Sequence, residues 1–403
     1  MTNRNVAPAS SPKTAVSDCQ PASALPQIAI ILFVLLSLAT AAAAQNSGRQ
    51  EPAIGPGNVV VHTALGGFIL GYDIDHNGSE GLLAESLALP NGEDDAAIET
   101  FDQKTGKIIK IVKQQNNTLS DFVALGIFGN GTGLAEYQYV KKLYVEKTVY
   151  GTLNPLSGNK ITGMWTPPIK GPTEIIAGLA ESQGSPNTAV LGFHNTINDF
   201  STYLFGSNVA ANTFGPVIKV KDSVFDFDNS PVMAYDSATN QAVLGGSNGC
   251  FGCTTEIALV NLTTGEQTEF PGLGFGFVNG IAVDPATGIA CTTTEDDFSV
   301  EFYNLATQQG IIVQIPGASS QAQSGLDVEL DPIHKLFLVG QEFTSTGGSG
   351  SSIQVFDEKG NYVESINGLS LPASPALIAL HPSERAGFVI VTPALTELQS
   401  FTY

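Results

Sequence analysis

The sequence predicts an all-β protein, a β-propeller of seven four-stranded blades behind an N-terminal export segment. Three observations carry this. Short apolar strands alternate with Gly- and Asp-containing turns through most of the chain. One strand–turn–strand unit recurs at a spacing of roughly 40–50 residues, the length of a propeller blade. Beyond Ala44, no stretch is long and apolar enough to span a bilayer.

The unit is clearest at Val278–Gly310, VNGIAVDPATGIACTTTEDDFSVEFYNLATQQG. Gly280–Val283 is small and apolar and reads as an inner strand. Asp284-Pro285-Ala286-Thr287-Gly288 is a turn, in which Pro fixes one φ and Gly tolerates a positive one. Ile289–Thr293 is the next strand. Ser299–Asn304 is a third, alternating apolar and polar side chains. Leu305–Gly310 then turns the chain again.

The inner strand and its turn return as VMAYDSATNQAVLG, IAVDPATGIACTT, DVELDPIHKLFLVG and LIALHPSERAGFVIV. Their anchors, Asp236, Asp284, Asp331 and His381, lie 48, 47 and 50 residues apart. A later strand ending in Asp or Asn returns at Ile98–Gly106, Val149–Gly158, Ile257–Gly265, Val300–Gln308 and Ile353–Gly360. The gap after the second of these is two periods, so a copy is expected near Tyr203–Gly206. Weaker inner copies at Phe68–Ser86, Phe122–Tyr137 and Ile175–His194 bring the inner strands to seven. The last copy, Ala376–Tyr403, is one strand short, and Asn58–Thr63 is available to complete it. The physical reason for a ring is that one small sheet cannot bury both its faces, whereas a closed series can. A strand solenoid or paired sandwiches is the competing arrangement.

Before the repeats, Met1–Pro26 is polar, and Ile28–Ala44 is an unbroken run ending in Ala42-Ala43-Ala44. This reads as a signal peptide over residues 1–44 with a long leading region, cleaved before Gln45. An uncleaved anchor is the alternative. Residues 45–57 read as a flexible lead-in and residues 58–403 as the propeller. The expected location is secreted, extracellular or periplasmic, with no membrane span after cleavage.

The chain has 403 residues, 42% of them hydrophobic, which is ample to bury a large core. Its net charge of −21 argues against nucleic acid, whose phosphates require a basic face. Four cysteines are too few for a disulfide scaffold. An acidic monomer is expected, with a protein, glycan or small molecule as partner.

The D-P-x-T-G turn and the later strand with N-L-x-T-G resemble surface-layer-type propellers built from tyrosine-valine-threonine-asparagine repeats. The resemblance covers about residues 58–403, although no copy carries that four-residue string. Asn279-Gly280-Ile281-Ala282-Val283-Asp284 is also similar to lactonase-type and gluconolactonase-type propellers. That similarity implies a divalent cation at the central mouth, held by carboxylate and amide oxygens. The nearest equivalents are Asp228, Asn229 and Asn279, with Asp327 a fourth. Such a metal would polarise a lactone carbonyl and activate water.

Other residues offer chemistry beside a plainer role. Asp73-Ile74-Asp75-His76-Asn77-Gly78 carries D-x-D-x-N-G, a spacing that gathers oxygens for calcium, with Asp73, Asp75 and Asn77 as ligands. Its twelfth position is Ala84 rather than Glu, and a hairpin turn is the plainer reading. Acidic loop residues, Glu93-Asp94-Asp95, Glu295-Asp296-Asp297, Asp121, Asp226 and Asp228, are expected on one face, where solvated acids are the ordinary outcome. Cys250-Phe251-Gly252-Cys253 lies in a Gly-rich loop and suits a local Cys250–Cys253 disulfide, leaving Cys291 free. A Cys253–Cys291 bridge competes with it. The five histidines form no recognisable triad. Two functions follow: an exported scaffold that binds a ligand without turnover, or a metal-dependent lactonase-like hydrolase with its site at the central mouth.

Overall fold

The computed structural model describes residues 53–76, 78–88, 94–114, 119–127, 133–141, 144–154, 160–165, 179–181, 188–195, 201–208, 211, 213–221, 232–247, 254–294, 299–316, 323–345, 348–369, 378–391 and 396–403. Among them, strands make seven antiparallel sheets. The first holds β2 (Phe68–Ile74), β3 (Glu80–Ala88), β4 (Asp94–Asp102) and β5 (Ile108–Gln114). The second holds β6 (Leu119–Ile127), β7 (Gly133–Lys141), β8 (Tyr144–Asn154) and β9 (Lys160–Trp165). The third holds β10 (Leu179–Glu181), β11 (Thr188–Asn195) and β12 (Ser201–Asn208), and its outer strand is split into β13 (Thr213–Phe214) and β14 (Ile218–Lys219).

The fourth sheet is β15 (Val232–Asp236), β16 (Gln241–Ser247), β17 (Thr254–Asn261) and β18 (Gln267–Phe275). The fifth is β19 (Val278–Asp284), β20 (Ile289–Thr294), β21 (Ser299–Asn304) and β22 (Gln309–Gln314). The sixth is β23 (Gln323–Asp331), β24 (Leu336–Ser345), β25 (Gly348–Asp357) and β26 (Tyr362–Asn367). The last joins β27 (Ile378–His381), β28 (Ala386–Ile390) and β29 (Glu397–Thr402) to β1 (Gly55–His62). The first strand of each sheet packs on the first strand of the next, and β27 returns to β2. The architecture is therefore a β-propeller, with the inner strands around its axis.

The repeated Asp and Asn anchors are turn builders. Asp284 Oδ1 accepts the Ala286 N–H at 2.9 Å, and Oδ2 accepts the Thr287 hydroxyl at 3.0 Å. Asn261 Oδ1 accepts the Thr263 and Thr264 N–H groups, both at 2.9 Å. Asp102 and Asp357 do the same with the N–H groups two residues on. These side chains mimic a backbone turn, which is why the anchor tolerates either Asp or Asn. The fourth residue after the anchor takes a left-handed conformation, with Gly288 at φ 66° and Gly265 at φ 72°. The segment read as a plain turn at Leu305–Gly310 instead launches β22 at Gln309, so the Asn304 turn joins the third strand to an outermost fourth.

Apolar clusters fill the seams between sheets. Ile281, Val283 and Tyr303 of the fifth sheet meet Ala234, Val243 and Phe270 of the fourth. Cys291, Val300 and Phe302 meet Val328, Phe337 and Phe356 of the sixth. The ring is closed by a pairing of distant segments. Val60, Val61 and His62 of β1 lie opposite Gln399, Leu398 and Glu397 of β29. Val61 is fully buried beside Leu398, Phe388 and Phe101. His381 Nε2 donates to the Gly78 carbonyl at 3.3 Å, stitching the last sheet to the first hairpin.

Val61→Ala is expected to lower unfolding stability by about 1.5–3 kcal/mol, the value of a fully buried Val side chain. Val363→Ala, on the exposed outer strand β26, should change it by less than about 0.5 kcal/mol. Denaturant midpoints for the two variants measure the contrast.

Candidate functional site

The predicted site residues divide into three groups. Asp228, Asn229, Asn77, Cys250 and Cys253 lie outside the described residues, as do Glu93, Asp226 and the Glu295-Asp296-Asp297 run. Asp73 and Asp75 lie in the first hairpin. Asn279 and Asp327 lie on neighbouring inner strands.

The first hairpin is a tight turn between β2 and β3. The Asp75 N–H donates to the Glu80 carbonyl at 3.0 Å, and the Gly78 N–H donates to the Asp75 carbonyl at 3.2 Å. The Asp75 carboxylate folds over Gly78, where a Cβ would come within 2.3 Å of Oδ2. Asp73 Oδ1 accepts the Ile74 N–H at 2.8 Å. Asp75 thus occupies the place that Asp284 holds in the fifth sheet.

Asn279 and Asp327 fasten one inner strand to the next. The Asn279 side-chain amide donates to the Gly325 carbonyl at 2.8 Å, joining β19 to β23. Asp327 Oδ2 accepts the Ile378 N–H at 2.7 Å, joining β23 to β27, and Oδ1 accepts its own strand's Val328 N–H at 2.8 Å. Both contacts sit beside register shifts, between Val278 and Gly280 in one strand and Gly325 and Asp327 in the other. A bulge re-aims a side chain across the seam. Gly280 permits the approach, since a Cβ there would lie 2.6 Å from the Val328 nitrogen. Burial pushes the Asp327 carboxyl up to about 7, against the pull of the Ile378 and Val328 N–H groups. Among the described residues, no three His, Cys, Asp or Glu side chains converge to hold a metal ion.

Sequence reasoning missed a pair of buried carboxyls in the first sheet. Glu85 on β3 and Glu99 on β4 are both fully buried. Glu85 Oε1 accepts the Gly67 N–H at 2.5 Å, and both Glu99 oxygens accept the Ala64 N–H at 3.2 Å. Burial raises Glu99 to about 7, the Ala64 N–H opposes this, and the neighbouring Glu85 charge and hydrogen bond add to the rise. The pair holds the segment that leads from β1 into β2. Its signal was present: Glu99, Glu301 and Gln354 each stand three residues before an anchor in an apolar third strand. Glu301 does comparable work, accepting from Thr292 Oγ1 at 3.1 Å and from the Tyr303 hydroxyl. Cys291, beside it, is a buried free thiol.

A cleft of about 270 Å³ opens between the third and fourth sheets. Thr188, Asn208, Thr213, Tyr235, Asn240 and Leu262 are among the residues that line it, as are Gly206 and Gly215. The Gly215 N–H donates to the Gly206 carbonyl at 2.8 Å where the outer strand breaks between β13 and β14. Around the rim, the Thr188 hydroxyl bonds to the Tyr235 hydroxyl. Tyr235 donates to Asn240 Oδ1 at 2.9 Å, and the Asn240 amide donates to Thr263 Oγ1 at 2.8 Å. This relay fixes the rim side chains before any ligand arrives.

No family profile matches the sequence, and no curated protein matches it. A solved structure described as "Structure of U3-55K" is similar, with a TM-score of 0.58 over 87% of this chain and 100% of that one. The identity is 12%, so the likeness is one of fold. Matching solved chains number 994, and a fold so widely shared carries no particular activity. The fold class is thus a β-propeller.

Two outcomes are expected. Asn279→Ala removes a seam hydrogen bond and should lower stability by about 1 kcal/mol, with no change in bound metal by elemental analysis. Glu99 keeps its proton in the fold to about pH 7 and releases it near 4.5 when unfolded. Its stabilising contribution is therefore whole below pH 4.5 and is lost as pH rises to about 7. Glu99→Gln, which retains the Ala64 contact, should flatten the melting profile between pH 5 and 8 and raise the pH 8 melting temperature by about 2 °C or more.

Proposed function

We propose that this chain is an exported, monomeric β-propeller that binds a ligand on its surface without turning it over. The observation that supports this best is the use made of the inner-strand polar residues. Asn279 and Asp327, placed by sequence at the mouth of a metal-dependent lactonase, spend their described hydrogen-bonding atoms on clasping neighbouring strands. A carboxylate occupied by two backbone N–H groups has less capacity left for a cation. The D-P-x-T-G turns favour kinship with the repeat-built surface-layer propellers, whose motifs specify architecture. Export is part of this reading and rests on the Ile28–Ala44 run and its small-residue end. A net charge of −21 suits a soluble, freely diffusing protein and disfavours nucleic acid.

The metal reading tests the proposal directly. The full chain, purified without chelator, should hold well under one divalent ion per molecule. Its melting temperature should be the same with calcium as with chelator, and a panel of lactones should not be hydrolysed. One tightly held ion, a chelator-induced fall in melting temperature and chelator-sensitive lactone turnover would together establish the hydrolase instead.

A further inference from the structure

We infer that the cleft between the third and fourth sheets is a binding site for a small uncharged polyhydroxy ligand, a single sugar ring. The inference rests on the scaffold reading and deepens it by naming the site and the ligand class.

Among the described residues, those lining the cleft, with Thr188, Asn208, Thr213, Phe214, Tyr235 and Asn240 among them, carry no charge, in a chain whose net charge is −21. An ionic ligand would leave water for a site with no counter-charge, which is costly. A purely apolar ligand would strip water from the hydroxyl and amide groups and return nothing to them. An uncharged molecule with many hydroxyls satisfies both conditions, since each hydroxyl donates and accepts.

The rim still has hydrogen-bonding capacity to offer. Asn208 Oδ1 accepts the Ala211 N–H at 2.9 Å, and the same side chain carries an NH₂ donor. The Asn240 amide donates one N–H to Thr263 Oγ1 and carries a second. Thr213 is exposed at the mouth. Leu262 supplies one apolar wall, suited to the C–H face of a pyranose ring. The volume sets the size: about 270 Å³ lies just under the roughly 300–1,000 Å³ of sites that take drug-sized ligands. One ring fits that space, and a longer glycan would have to continue outside it.

Gly206 lines the cleft and offers a test. A Cβ at Gly206 would meet only Leu262 Cδ1, at 3.7 Å, an ordinary contact. Gly206→Ala therefore adds a methyl group to the cleft lining without a backbone clash. Asn208→Ala removes a donor from an exposed rim position and is the second variant, should the first fold poorly. Methyl glycosides of glucose, galactose, mannose and N-acetylglucosamine are the probes, read by saturation-transfer NMR and titration calorimetry on the full chain. At least one glycoside should bind, and each variant should weaken it about tenfold or more with melting temperature within about 2 °C of the parent. A tenfold loss corresponds to about 1.4 kcal/mol, the scale of one hydrogen bond.

Absence of any glycoside binding overturns the site assignment. So does binding that survives both folded variants, which would place the sugar elsewhere on the propeller and leave the scaffold reading standing. Chelator-sensitive lactone turnover in the same preparation marks the separate failure of the scaffold reading.

Discussion

The structure depends on the pairing of β1 with β29. Every other sheet is built from one continuous run of chain, and local turns suffice to hold it. The last sheet is made from both sides of the sequence, with Val61 opposite Leu398 across more than three hundred residues. Until that pairing forms, the first and last sheets each expose a face that the ring is meant to cover. Closing so long a loop costs entropy that grows only slowly with length, and the buried apolar seam offsets it. Val61, Phe101, Phe388 and Leu398 form that seam. The carboxyl pair Glu85 and Glu99 grips the segment between β1 and β2, so the closure is reinforced by polar contacts just beyond the strand.

The same logic explains why polar residues appear inside the seams. A ring of sheets has many identical ways to slip by one strand position, because its apolar faces are similar. Directional contacts reduce that freedom. Asn279 to Gly325 and Asp327 to Ile378 each fix one inner strand against the next at a defined height. The buried Glu301, held between Thr292 and Tyr303, orients the outer part of the fifth sheet. Each costs desolvation, visible in the raised protonation range of Asp327 and Glu99, and each returns specificity of register.

Much of the fold was legible because the turns are chemically explicit. Asp284, Asp331, Asn261 and Asn304 announce Asx-type turns, and their spacing gives the repeat directly. The closing role of Asn58–Thr63 followed from counting strands in the last repeat. The site was far less legible. Asn279 and Asp327 carry atoms suited to a metal, and only the register shifts beside them reveal that they reach across to a neighbouring strand. A bulge leaves no reliable trace in a single sequence. The cleft was hidden for another reason: Gly206 and Gly215 are separated in the chain by the loop between β12 and β13, and their adjacency is a product of the split outer strand. The buried Glu99 was readable as a polar residue in an apolar strand, but its pairing with Glu85 depends on the register of β3 against β4.

The left-handed turn position has a further meaning when the sheets are compared. Where the fifth sheet places Gly288, the sixth places Lys335 at φ 60° and the last places Arg385 at φ 49°. Holding a non-glycine residue there is unfavourable. In both cases the long side chain reaches back over the seam: Lys335 Nζ lies 2.7 Å from Asp284 Oδ2, and Arg385 lies 3.5 Å from Glu364 Oε1. Local discomfort in a turn is exchanged for a tether to the preceding sheet. The second of them stands beside Tyr403, which bonds to Asp331 at 2.8 Å and packs under Arg385. The fifth, sixth and last sheets are thus joined by ionic ties that strong salt would loosen before the apolar seams gave way.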